Sequence, residues 1–412
     1  MIEIAVLGHG VVGSGVVQLL EKNNESISRK AGDKLRVKKI LERRDFSGLA
    51  YADKFCRDYN EILTDPDISV VVEVMGGINP AYEFVTGALK AGKSVVTSNK
   101  ELVAAKGDEL LRLARQANQN FLFEASVGGG IPIIRPLHQC LGANEIDEIT
   151  GILNGTTNFI LTKMIREGMD FDVALKLAQE LGYAEKDPTA DIEGHDTCRK
   201  ICILASLAFG SHVYPESVNT QGITKITAED VRYAGSIGRV IKLLGHTRKV
   251  DGKCEIWVGP AMIPQDSPIS GVEDVFNGIL VQGDATGDVV FYGKGAGGLP
   301  TASAVISDVI DCITAEGTIS SLHWSGADKS KLADLGKLPA TRYLRCAGQN
   351  AAASVERVFG KVSPLHRPDA PADELAFITP AMTGAEFEQK LAELAGLGVN
   401  VIGNIRMWEA SN

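Results

Sequence analysis

The segment Gly182-Tyr183-Ala184-Glu185-Lys186-Asp187-Pro188-Thr189-Ala190-Asp191-Ile192-Glu193-Gly194-His195-Asp196-Thr197-Cys198-Arg199-Lys200 crowds acids just ahead of a largely apolar helical stretch that runs to residue 209. Acids make poor core, so their presence there needs a reason. Asp196 and Lys200 stand four apart with the acid N-terminal to the base, which stacks them on one helical face. That face continues into Ile203, Leu204 and Leu207, so Lys200 is expected at the edge of a low-dielectric pocket. Desolvation there lowers a lysine pKa while the carboxylate raises it. A buried lysine held by a carboxylate can act as general acid or base toward a carbinol or carbonyl oxygen. The plain alternative is an exposed i,i+4 ion pair, which the apolar stripe disfavours. His195 shares a face with Arg199 and reads as a partly exposed neighbour.

A second set of residues is suited to phosphate. Gly8-His9-Gly10-Val11-Val12-Gly13 follows the apolar run 2–7 and opens a helical pattern that lasts to Leu20. Gly8 permits a tight turn, Gly10 lets backbone approach a pyrophosphate, and Gly13 lets helix pack closely on strand. The free N–H groups and positive dipole end of that helix, beginning with Val11 and Val12, favour the phosphates. The motif alone is weak, but its place between strand and helix is the confirming context. Cofactor choice rests on Glu42-Arg43-Arg44, 29 residues past Gly13 and later than the usual ~20 because a polar stretch, 23–34, intervenes. An acid there binds a ribose 2′-hydroxyl and an arginine a 2′-phosphate. The tandem Arg43 and Arg44 favour NADP(H), with NAD(H) also accepted; a solvated charged turn explains either arginine singly. Thr97-Ser98-Asn99-Lys100 closes another strand, and ligands bind at the carboxyl ends of such strands. Lys100 is therefore placed near nicotinamide and substrate, or simply starts the next helix.

The elements that must position these residues alternate. Strands are read at 2–7, 35–41, 68–75, 94–98 and 120–125, with helices at 80–91 and 101–118 between them and 23–34 as a loop. This is a doubly wound α/β pattern. From 135 on, helices at 170–181 and 194–209 mix with strand-like segments at 254–259, 279–283 and 288–292. The glycine-rich loop 293–301 leads into a helix at 302–315, and the polar stretch 325–340 reads as a linker. The chain then alternates again, with strands at 342–347, 375–379 and 399–408 and helices at 351–359 and 384–395.

The length, 412 residues, calls for two or three domains. A net charge of −10 argues against a nucleic-acid partner. Seven cysteines without CxxC spacing read as reduced thiols. No apolar run reaches the ~18 residues of a membrane span, and the N-terminus enters a strand directly. A soluble cytoplasmic protein is expected.

Across about residues 1–320 the sequence resembles homoserine dehydrogenases, through GHGVVG (8–13), TSNK (97–100), EASVGGGIPII (124–134), NGTTNFIL (154–161), the 182–200 segment and GKGAGGLPTASAVISD (293–308). The resemblance implies reversible hydride transfer between L-homoserine and L-aspartate 4-semialdehyde, in threonine and methionine biosynthesis. It implies Lys200 as the proton donor or acceptor, Asp196 orienting it, and Lys100 as a second active-site lysine touching substrate and nicotinamide. Glu185 and Asp191 match acids that hold the substrate ammonium, with Tyr183 beside them and Gly155-Thr156 as a substrate-contacting turn. Glu124, Val127, Gly129 and Ile131 match positions whose oxygens hold a monovalent cation, usually sodium; an ordinary tight turn is the alternative. A homodimer or homotetramer is implied. Residues 340–412 resemble an ACT domain, but Arg342–Gly360 lacks the acid-Pro-Gly turn of the effector pocket. Pro364, Pro368 and Pro371 interrupt its second strand.

The reading is thus a Rossmann-type domain (1–134), a mixed α/β substrate and dimerisation domain (135–320) and a ferredoxin-like, degenerate ACT tail (340–412). Two rival functions make different demands. A phosphorylating semialdehyde dehydrogenase would need an activated cysteine, for which Cys140 is the only candidate near the domain junction. A non-enzymatic NADP-sensing regulator would have no need of Lys100, Asp196 and Lys200.

Overall fold

In the computed structural model, which describes every residue except 316, 317, 319, 411 and 412, the apolar runs at the start of the chain become strands separated by helices. They are β1 (Ile2–Leu7), α1 (Val11–Lys22), α2 (Asn24–Ala31), β2 (Leu35–Leu41), β3 (Phe55–Cys56), α3 (Asn60–Leu63), β4 (Ile68–Glu73), α4 (Ala81–Lys90), β5 (Ser94–Thr97), α5 (Lys100–Gln116) and β6 (Phe121–Leu122). The strands form one parallel sheet in the order β3-β2-β1-β4-β5-β6, the doubly wound dinucleotide-binding order. β4 is buried at every position but Ser69, as a central parallel strand must be. The stretch 23–34, expected as a loop, is helical over Asn24–Ala31. Its buried residues Ile27 and Ala31 lie four apart, and Gly32 ends it in the left-handed region. So narrow a stripe is masked in sequence by the charges around it.

The middle of the chain adds β7 (Ile146–Ile152), α6 (Gly155–Glu167), α7 (Phe171–Glu180), α8 (Thr189–Ile192), α9 (His195–Phe209), β8 (Asn219–Thr220), α10 (Ala228–Ser236), β9 (Arg239–Val250), β10 (Lys253–Pro264), β11 (Phe276–Gly283), β12 (Gly287–Lys294) and α11 (Gly298–Thr314). β9 and β10 pair in register from Lys253↔Val250 to Pro264↔Arg239. Sequence reading misses β9, because Lys242 and His246 interrupt its apolar run. α6 and α9 pack on the sheet face carrying Ile149, Leu243, Ile256 and Ile279. The opposite face, with Ile152, Leu244, Trp257 and Leu280, is covered by Ile269, Val272 and Trp408. α11 does not stay with this sheet. Its Ala302, Val305, Ile306 and Val309 share a core with β1, α1 and β4. The approach is close: a Cβ on Gly15 would lie 2.7 Å from the Gly298 carbonyl oxygen.

The remainder forms β13 (Pro339–Ala340), β14 (Arg342–Ala347), α12 (Ala351–Phe359), β15 (Glu374–Ile378), β16 (Met382–Thr383), α13 (Gly384–Gly396) and β17 (Asn400–Met407). β13 and β16 pair as a separate two-stranded sheet, but the longer strands do not make a sheet of their own. β17, β14 and β15 continue the second sheet beyond β10, with β17 parallel to β10 at Ala261↔Arg406 and Met262↔Met407. In place of a further strand there is an isolated bridge, Pro364↔Phe377. The expected linker 325–340 is pinned to the second unit: His212 N donates to Ser325 O (2.9 Å) and Ala333 N to Cys254 O (2.8 Å). All seven cysteines are free. Among the described residues no helix is long and apolar enough to cross a membrane.

Candidate active site

Gly8 leaves β1 at φ +98°, and a Cβ on Gly13 would sit 2.1 Å from the Gly8 carbonyl oxygen. Any side chain at Gly13 would push α1 off the strand. A Cβ placed on Gly10 would meet nothing within 4 Å, and α1 has no side-chain cap at its N-terminus. Its first amides, from the exposed Val11 and half-buried Val12 onward, therefore face open space that a pyrophosphate fits. Beside the loop lies a cavity of about 370 Å³ lined by His9, Glu42, Arg43, Arg44 and Arg57 among others.

Glu42 is fully engaged in that wall. Its carboxylate accepts from the amides of His9 (3.0 Å), Arg43 (2.8 Å) and Arg44 (3.1 Å) and pairs with the Arg44 guanidinium at 2.8 Å. Arg44, with the amides, holds the Glu42 carboxyl down to about 2 against the opposing effect of burial. Arg44 also donates to the His9 carbonyl at 3.0 Å. Among the described residues the Arg43 guanidinium has no ion pair, and Arg57, which no sequence motif singles out, is exposed on the same cavity.

The buried carboxylate of Asp196 joins the two units. Lys200, 6% exposed, reaches it from one turn later on α9 at 2.8 Å, as their spacing requires. Lys100, at the first turn of α5, reaches its other oxygen at 2.5 Å. Lys200 also donates to the Leu153 carbonyl at 2.7 Å. Burial pushes Lys200 down, and Asp196 only partly restores it. Burial also disfavours charge on Lys100, but there Asp196 wins and the pKa rises. Burial raises Asp196 in turn, yet the two ammonium groups outweigh it and hold the carboxyl below the usual range. Asn99 caps α5 by accepting from Leu102 N (3.1 Å) and donates to Gly77 O (2.6 Å). The Thr97 hydroxyl donates to buried Glu73 at 2.6 Å, and Ser98 N donates to Glu73 O.

Asn154 is the residue sequence reading missed. It caps α6 by accepting from Thr157 N (2.8 Å), and its amide donates to both Asp191 (2.7 Å) and Asp196 (2.9 Å). An Asn just ahead of a helical Gly-Thr-Thr is a cap signal that could have found it. Asp191 is raised by burial and by the nearby Asp196. The Thr156 hydroxyl donates to Tyr183 O at 2.6 Å, and Gly155 admits the Val275 carbonyl, 2.8 Å from a Cβ there. Tyr183 is half-exposed against Phe159. Glu185 and His195 are exposed.

The 124–131 loop, read in sequence as a cation site, is held by its own carboxylate. The Glu124 side chain accepts from the amides of Ile133 (2.6 Å), Ile134 (2.9 Å) and Arg135 (2.7 Å), and Glu124 N donates to Asp308 (2.8 Å). Gly129 packs on the glycine-rich 293–298 crossing: its Cβ would lie 2.4 Å from Gly295 O. Residues 124–129 and Ile131 are buried. Among the described residues no backbone hydrogen bond outside regular elements ends on the carbonyls of Glu124, Val127, Gly129 or Ile131. Backbone carbonyls of such a loop are the kind of oxygen a hard cation takes.

A parallel sheet of the dinucleotide-binding order, with an open glycine loop at its strand ends and a carboxylate shared by two lysines facing it, defines an NAD(P)-dependent oxidoreductase. The comparisons agree. Residues 8–124 match the model of the homoserine dehydrogenase NAD binding domain and 132–310 that of homoserine dehydrogenase itself. The chain is 46% identical over 327 residues to homoserine dehydrogenase of Synechocystis sp., covering 76% of this chain and 73% of that one. Against the Bacillus subtilis enzyme it is 42% identical over 313 residues, covering 75% and 72%. A homoserine dehydrogenase structure from Thiobacillus denitrificans matches at TM-score 0.89 and 38% identity, over 99% and 98% of the two chains. A hyperthermophilic archaeal homoserine dehydrogenase in complex with NADPH matches at 0.65 and 30%, over 76% and 98%. The chain belongs to the homoserine dehydrogenase family, oxidoreductases acting on a CH–OH group.

Proposed function

We propose that Lys200 moves the proton in the interconversion of L-homoserine and L-aspartate 4-semialdehyde, with Asp196 orienting it and Lys100 serving substrate and nicotinamide together. The observation that carries this reading is the Asp196 carboxylate bridging the two lysines, 2.5 Å and 2.8 Å away. The bound dinucleotide supplies the hydride chemistry. In the reductive direction the Lys200 ammonium stabilises and protonates the developing alkoxide; in the oxidative direction its neutral amine takes the hydroxyl proton. Glu185 and Asp191 hold the substrate ammonium, with Tyr183 and the Gly155–Thr156 turn beside it. Asp191, fixed by Asn154, supports that role better than Glu185, which stands at the exposed rim.

NADP(H) is used at least as well as NAD(H). Support comes from Arg43, which has no ion pair among the described residues, and from the engagement of Glu42, whose oxygens are taken by amides and Arg44. A sodium ion held by the carbonyls of Glu124, Val127, Gly129 and Ile131 steadies the crossing between the units. The tail is a degenerate ACT-like module, its β14 followed by Gly348-Gln349-Asn350 and no acid-Pro-Gly turn. The protein works in the cytoplasm as a homodimer or homotetramer. Free cysteines support the compartment, and the exposed Val290 and Tyr292 on edge strand β12 support association.

The test compares homoserine-dependent NADP+ reduction by the wild type and Lys200→Ala, with NADPH binding followed by fluorescence. Turnover is expected to fall ~10²-fold or more while NADPH still binds. A variant keeping more than a tenth of wild-type kcat would remove Lys200 from the role.

A further inference from the structure

Lys242 lies in the middle of β9 and is 1% exposed, among the most buried large side chains of the molecule. Among the described residues no carboxylate lies within ion-pair distance of it. Burying an ammonium without a counter-ion is costly, so what it touches carries weight. Its Nζ donates to the Val272 carbonyl at 2.5 Å and to Asn158 Oδ1 at 3.3 Å. The buried Asn158 amide donates in turn to the carbonyls of Val272 (3.1 Å), Asp274 (3.0 Å) and Phe276 (3.1 Å). Thr162 accepts from Asp274 N at 3.0 Å, and Arg166 pairs with Glu273 at 2.5 Å. The loop 272–276 is thus pinned along α6, and its Val275 carbonyl rests on Gly155 at the start of that helix.

We propose that Lys242 is a positioning residue for substrate. Its ammonium fixes the 272–276 loop, which holds the Gly155–Thr156 turn at the height where α6 meets the substrate. Two other anchors of the turn are already described, Asn154 to Asp191 and Asp196, and Thr156 to Tyr183 O. The loop is the third, and among the described residues Lys242 is its only ionisable clamp reaching from the sheet. The charges that face the ammonium are Glu273 and Asp274 on the loop and Arg166 on α6; burial dominates them and brings Lys242 down to about 8. The clamp therefore weakens near that pH, because a neutral amine makes a weaker hydrogen bond than an ammonium.

Lys242→Met keeps the stem and removes the donor. It is expected to raise the homoserine KM about 3- to 10-fold, the scale of one charge-assisted hydrogen bond acting indirectly, with the NADP+ KM unchanged within twofold and kcat less affected. Lys242→Gln keeps a donor for Val272 but cannot titrate. Its homoserine KM should fall between those of wild type and the Met variant at pH 7 and rise less than that of wild type between pH 7 and 9. A folded Met variant with a wild-type homoserine KM, or a Gln variant whose KM climbs as steeply as wild type, overturns the proposal. If the Met variant fails to fold, the Gln profile decides alone. The inference rests on the turn touching substrate, which Gly155→Ala checks separately: an unchanged homoserine KM there sinks that reading, whereas a raised one with a null Lys242 result sinks only this proposal.

Discussion

In the proposed mechanism Lys200 takes the hydroxyl proton as homoserine is oxidised, so the oxidative rate is expected to rise as pH passes its pKa. Burial pushes that pKa below the ordinary lysine range, and the rising limb of kcat/KM is expected correspondingly on the acid side of a free lysine. Asp196 is what resists the shift. Asp196→Asn is expected to move the limb to still lower pH while reducing turnover, because the neutral amide no longer favours the ammonium. A pH profile with its limb unmoved would assign the proton to another group. At the cofactor end, Arg43→Ala should cost NADP+ about 10- to 100-fold in kcat/KM, the scale of a hydrogen bond to a charged group, and leave NAD+ nearly unchanged. Equal losses for both would place Arg43 on a part they share. The pairing of Asp196 with Lys200 is legible in sequence because helical spacing alone brings the two together. Its pairing with Lys100 is not, since that depends on how separated segments meet in the fold, and the capture of Arg44 by Glu42, though local, depends on the turn that follows β2.

Elements show the same division. β1 and β4 announce themselves as apolar runs, and the 3-2-1-4-5-6 order follows once they alternate with helices. α2 and β9 do not, the first because only Ile27 and Ala31 carry its buried face, the second because Lys242 and His246 sit where apolar residues are expected. The loop after β6 is the element with most at stake. Its Glu124 side chain gathers three consecutive amides, and it is the loop proposed to hold sodium. Exchanging NaCl for choline chloride at equal ionic strength should lower the melting midpoint, since a ligand bound only to the folded state stabilises it by mass action. Glu124→Gln should lower it further and blunt the sodium dependence, because an amide NH2 cannot accept from the Arg135 amide. A melting curve identical in both salts would dispose of the cation.

Across the whole molecule the tail is wired in. Arg345 meets Asp230 at 2.9 Å and Glu374 at 3.1 Å, Tyr343 donates to Asp230 at 3.0 Å, and Arg406 pairs with Glu255 at 2.9 Å. Cutting the chain near residue 335 would take Arg345 and Tyr343 from Asp230 and Arg406 from Glu255, leaving Glu255 with Arg248 alone, and would uncover the edge of β10 that β17 pairs with. Threonine is therefore best titrated against the intact protein. Weak or no inhibition is expected, because β14 runs into Gly348-Gln349-Asn350 without the turn that would receive an amino-acid carboxylate; potent inhibition would reveal an effector site elsewhere in the tail. Gly129 and Gly295 have a consequence of their own. They belong to two separate passages of the chain between the nucleotide and substrate units, and their backbones touch. Gly130 N also donates to Lys294 O at 3.1 Å and Glu124 N to Asp308 at 2.8 Å, so the two passages are fastened side by side over several residues, and a bulky side chain at Gly129 or Gly295 is expected to part them and weaken the pairing of Lys100 with Asp196.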